Sequence, residues 1–149
     1  MATLQNSGNS SVDQLNSFLR GEISAVETYR KALGALTSST HTAQLAECKQ
    51  SHEQRVAILT EQIRRLGGTP ADSSGVWGTF AKLVEGGATA LGEKSAIAAL
   101  EEGEDHGNKD YQTDLPKLAG EVRTVVETRV LPLQHRTHAV ISALKKTLS

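Results

Sequence analysis

The chain has 149 residues, 16 of them basic and 17 acidic, for a net charge of -1. That is one domain's worth of protein. It lacks the basic surplus that draws nucleic acid, and Arg64-Arg65 and Lys145-Lys146 are too sparse to replace it. No apolar run approaches the roughly 20 residues of a membrane span, and the single Cys48 excludes a disulfide framework and a four-cysteine zinc site.

The first eleven residues are polar, start without a charged and apolar leader, and are expected to fray. A cytoplasmic setting is expected. Residues 12–36 carry Leu15, Phe18, Leu19, Ile23, Val26, Leu33 and Leu36 at steps of three and four, which predicts the first helix. After the polar turn Thr37–His41, a second helix is predicted over 42–66. Its stripe runs through Leu45, Cys48, His52, Val56, Leu59 and Ile63, and Gly67-Gly68 and Pro70 end it. Residues 67–88 are rich in Gly and Ser and read as a long connection with a short helix near Val76–Val84, where Trp77 and Phe80 would pack onto the bundle or onto another copy. Gly86-Gly87 has no strand before it and so does not read as a phosphate cradle.

A third helix is predicted over 89–111 and a fourth over 116–148, with a kink or break at Pro132, whose ring frees the carbonyl of Thr128. Aromatics are only 3% of the chain and no stretch alternates with a period of two, so the fold class is all-α. Two tight turns and one long link between helices 2 and 3 predict a ferritin-like four-helix bundle with one long crossover.

Each helix carries a polar residue on its apolar stripe. Glu22 precedes Tyr29 by two helical turns, Glu104 precedes Tyr111 by the same step, His52 lies on helix 2 and His138 on helix 4. The Glu-to-His spacing is 30 residues in one half and 34 in the other, the pattern of a duplicated helical hairpin. Two carboxylates and two imidazoles meeting at one level would suit one divalent ion: iron, manganese or zinc. Cys48, one turn before His52, and His135 are further candidate ligands. Tyr29, Tyr111, Lys49 and Gln134 would stand behind the ligands as hydrogen-bonding or charged partners.

The segments LNSFLRGEISAVETYRKAL, HEQRVAILTEQIRRLGG, EEGEDHGNKDY and LPLQHRTHAVISALKK resemble an uncharacterised bacterial family of rubrerythrin-related, ferritin-like four-helix-bundle proteins. A di-metal site of that type takes a Glu from each of two helices and Glu-x-x-His from each of the others. Here Lys49 and His135 stand where the bridging glutamates would be, which argues against a ferroxidase.

Three readings follow. The leading one is a bundle that binds a single metal ion through Glu22, His52, Glu104 and His138, with a role in metal handling or stress protection. The second is a metal-free structural or interaction bundle in which Lys49 pairs with Glu22 or Glu104. The third is an oxidoreductase with a remodelled site. A homo-oligomer is compatible with all three.

Overall fold

In a computed structural model of the chain, residues 2–37, 39–75 and 92–148 are described, with side chains from residue 10 onward. The elements are α1 (Ala2–Ala35), α2 (Thr42–Arg65), α3 (Glu93–Asp114), a 3-10 turn (Leu115–Lys117), α4 (Gly120–Val125), a π-helical turn (Val126–Val130) and α5 (Leu131–Leu148). The last three form one unbroken rod, so the protein is an all-α bundle of four rods with no strand among the described residues. The expected short helix at Val76–Val84, Trp77, Phe80, Gly86-Gly87 and the start of helix 3 at 89–91 lie outside the described residues.

Besides α3 running on to Asp114 rather than ending at 111, three features differ from the periodicity. First, helical backbone begins at Ala2 rather than near Val12. Once a packed helix exists, each added residue gains one hydrogen bond without a new nucleus, so a polar leader can extend it. Second, the fourth rod begins at Gly120 rather than Pro116. Leu118 and Ala119 are extended, which buries the Leu118 side chain, and Gly120 takes φ +62°, a conformation that costs glycine nothing. Third, Pro132 does not break the rod. Just before it, the Leu131 N–H bonds the carbonyl of Val126, five residues back instead of four. This wider turn meets the proline's missing donor without ending the helix. The end of α2 is a Schellman motif: Gly68 N–H bonds Ile63 O at 2.9 Å and Gly67 N–H bonds Arg64 O at 3.0 Å, with Gly67 at φ +78°.

Short connections make α1 and α2 one antiparallel hairpin, and α3 and the fourth rod another. Ser39, in the α1–α2 turn, hydrogen-bonds Glu93 at the start of α3. Asn16, near the other end of the hairpin, donates to Thr69 O at 3.0 Å and accepts from Ala71 N at 2.7 Å. The apolar core has two parts. One holds Leu15, Leu19, Leu59, Ile63, Val126 and Val130, and the other Ala32, Leu45, Ile97, Leu100, Ile141 and Leu144. A polar layer lies between them. No helix among the described residues is long and apolar enough to cross a membrane.

Candidate functional site: a closed ion network

The polar layer is built from core-facing positions of all four rods. Glu22 comes from α1, His52 and Arg55 from α2, Glu104 from α3, and Gln134 and Thr137 from α5, and all six are buried. Each sits at a three- or four-residue step from apolar core residues of its own helix, such as Leu19 and Val26 around Glu22 and Cys48 and Leu59 around the α2 pair. The same turn of helix that buries those apolar side chains therefore carries the polar ones inward.

His52 lies between the two carboxylates. Its Nδ1 is 3.2 and 3.3 Å from the oxygens of Glu22, and its Nε2 is 3.0 Å from Glu104 Oε2. Carboxylates only accept, so a hydrogen bond on each side requires a hydrogen on each ring nitrogen, and the ring is an imidazolium. Burial alone disfavours that charge. The carboxylates of Glu104 and Glu22 outweigh it and raise the His52 pKa above its usual 6.5. Burial pushes the other way on Glu104 too, but the adjoining His52 charge, its hydrogen bond, Arg55 and Thr137 hold the Glu104 carboxyl below 4.5.

Arg55 is 0% exposed and completes the charge balance. Its Nε lies 3.3 Å from Glu22 Oε2, and Nη1 donates to Glu22 Oε1 at 3.3 Å and to Gln134 Oε1. Nη2 donates to Thr137 Oγ1 at 2.9 Å and Ser51 Oγ at 3.2 Å. Thr137 in turn donates to Glu104 Oε1 at 2.8 Å, Gln134 Nε2 donates to the Glu104 carbonyl at 3.0 Å, and Tyr29 Oη donates to Glu104 Oε2 at 3.1 Å. Two carboxylates thus face one guanidinium and one imidazolium, and the layer is neutral.

Of the expected ligands, Glu22, His52 and Glu104 come together. His138 does not join them. Its side chain is 28% exposed and pairs with Asp105 at 2.5 Å on the outside of the bundle. One residue turns a helix by about 100°, which carries His138 off the stripe of Gln134, Thr137 and Ile141. His135 is exposed as well. Cys48 is buried, and burial and then the Glu104 charge push its pKa up to about 12, so it stands beside the layer as a thiol. Lys49 does not reach Glu22 or Glu104. It points outward to Glu53 at 3.5 Å, and Arg55 supplies the counter-charge expected of it. Tyr29 bonds Glu104 and Gln134 joins the network, whereas the buried Tyr111 hydroxyl has no partner among the described residues.

This donor set does not fit the expected metal. Both nitrogens of His52 face carboxylates, so neither lone pair is free, and Arg55 already occupies the oxygens of Glu22. Among the described residues, no group of three or more His, Cys, Asp or Glu is placed to hold a metal ion.

Arg55 and Thr137 are the residues that sequence reasoning missed. The signal for both is a repeat at a fixed offset of 82 residues, which pairs Glu22 with Glu104, Tyr29 with Tyr111, His52 with Gln134, Arg55 with Thr137 and Leu59 with Ile141. Gln134 stands 30 residues after Glu104, as His52 does after Glu22, so Gln134 and not His138 is the counterpart of His52.

Neither the curated proteins nor the solved structures include a match to this chain. The model of the family described as domain of unknown function (DUF2383) matches residues 10–117, a span that holds Glu22, His52, Arg55 and Glu104, and the chain belongs to that family.

Proposed function

We propose that this protein is a non-catalytic structural or interaction bundle of ferritin-like arrangement, in which Arg55 and the imidazolium of His52 carry the positive charge that a bound metal would otherwise supply. The arrangement is supported by where the second connection starts and finishes. Thr69 and Ala71 lie against Asn16 of α1, whereas Glu93 lies against Ser39 in the α1–α2 turn, so α2 is left at one end of the α1–α2 hairpin and α3 is entered at the other. One such link between two helical hairpins is the ferritin-like crossover.

The observation that carries the metal-free reading is the engagement of both His52 nitrogens by carboxylates. A buried ion that lost its partners would face a penalty of several kcal/mol, so a metal entering here would have to displace two cations already in place. Elemental analysis of protein purified without chelator, with thermal melts in and out of EDTA, tests the reading. The expected result is no stoichiometric metal and an unchanged Tm. One tightly held equivalent, with a Tm that falls in EDTA, overturns it, because a ligand bound to the native state alone must stabilise it.

A further inference from the structure

Between α1 and α3, beside the ion network, lies a cavity of about 40 Å³. One water needs roughly 10–15 Å³. Phe18, Ala25 and Leu100 form its apolar side, and Glu22, Glu104 and Tyr111 its polar side.

Tyr111 is the unusual member. It is 3% exposed, yet its hydroxyl has no hydrogen-bond partner among the described residues. Its repeat counterpart Tyr29 donates to Glu104. Burial and the nearby Glu22 carboxylate push the Tyr111 pKa above 10, so the group stays a phenol with a hydrogen to give. Buried hydroxyls are nearly always paired, and one that is not, lining a cavity, points to a missing acceptor. The network next to it sets the charge of that acceptor. An anion would meet the carboxylates of Glu22, Glu104 and Asp110, and an ammonium would meet the His52 imidazolium and has no lone pair to accept from Tyr111, while Glu22 and Glu104 are already matched by His52 and by Arg55 behind the lining.

We propose that the α1–α3 cavity is a binding site for a small uncharged molecule bearing a hydroxyl. The ligand oxygen accepts from Tyr111 Oη, its own hydrogen is available to the carboxylate layer, and its short apolar body rests against Phe18, Ala25 and Leu100. A largely apolar cavity with a few converging polar groups is the usual form of such a site. The inference goes beyond the scaffold reading, whose metal content is measured separately.

The full chain, labelled with ¹⁵N, is titrated with 1-propanol, and in parallel with propionate and propylammonium, while amide shifts are followed. Saturable shifts at Gly21, Gly103 and Gly107 are expected with 1-propanol alone, and at least about five-fold weaker binding in Tyr111→Phe, the loss of one hydrogen bond. Shifts that stay linear in concentration, equal affinity in Tyr111→Phe, or equal binding of either charged analogue overturn the proposal. Phe18 packs against Tyr111 with ring centroids 4.5 Å apart and planes tilted by 37°, a contact the phenylalanine variant keeps. Should that variant fail to fold, Ala25→Leu fills the apolar side and leaves the hydroxyl; undiminished 1-propanol binding there overturns the proposal equally.

Discussion

Arg55 ties three helices together from a position with no contact with water. Its guanidinium reaches Glu22 of α1, Ser51 of α2 and Gln134 and Thr137 of α5. Such a group is costly to bury and costlier still to orphan, because removing one member leaves the opposite charge desolvated and unpaired. Arg55→Met is therefore expected to lower stability by about 3–5 kcal/mol in urea unfolding. Glu22→Gln combined with Arg55→Met removes both charges and should recover part of that loss, so the double variant is more stable than the sum of the single losses predicts. Additive losses would mean that the two residues do not act as a pair. Arg55 was visible in the sequence as a step of three from His52, between Cys48 and Leu59. The apolar Val56, one residue on, is the more conventional choice for a core position, and binary patterning favours it. A buried arginine is legible only once its partners on other helices are known, because burial of a charge depends on pairing rather than on its own helix.

Among the elements, α1 from Val12 onward, α2 and α3 were legible because their stripes repeat at helical spacing, with polar residues set into them. The start of the fourth rod was not, because the extended backbone at Leu118 follows from the core that receives its side chain. His138 was misplaced for a related reason: Gln134 and His138 are one turn apart, and both look inward until the stripe through Thr137 and Ile141 fixes the angle. The π-helical turn has a sequence trace that periodicity alone does not expose. Leu45 and Val126 are both buried 81 residues apart, while Cys48 and Val130 are both buried 82 apart. One extra residue has thus entered the rod between Val126 and Val130, where the ladder widens. Deleting exposed Arg129 together with Pro132→Ala is expected to restore a regular helix, leaving Gln134, Thr137, Ile141 and Leu144 in place and stability within about 2 kcal/mol of the parent. Deleting exposed Arg136 instead rotates everything after it by about 100° and pulls Thr137 from the network, so the loss should be far larger. Circular-dichroism melts separate the two, and similar losses in both would show that the turn is not an insertion.

At the scale of the whole molecule, the neutral layer divides the core into two apolar halves, and pH controls its neutrality. His52 has a folded pKa raised above 6.5, so its contribution is complete below about pH 6.5 and is lost as pH climbs through the raised value. Glu104 has a folded pKa lowered below 4.5, so its contribution is complete above about pH 4.5 and is lost as pH falls through the lowered value. Stability is therefore expected to be greatest between about pH 4.5 and 6.5 and to decline on both sides, as urea midpoints measured from pH 3 to 10 would show. His52→Gln should abolish the decline between about pH 6.5 and 9, above which Cys48, its pKa raised from 9.0 to about 12 by folding, adds a loss of its own, and should shrink the acid decline, since the His52 charge is the foremost influence holding Glu104 down. His138→Gln, which changes only a partly exposed pair with Asp105, should leave both declines intact. A parent whose stability rises from pH 7 to 9 would mean that His52 is neutral in the folded protein. One of its nitrogens would then face a carboxylate without a hydrogen, and the layer would carry an uncompensated negative charge that a cation could satisfy.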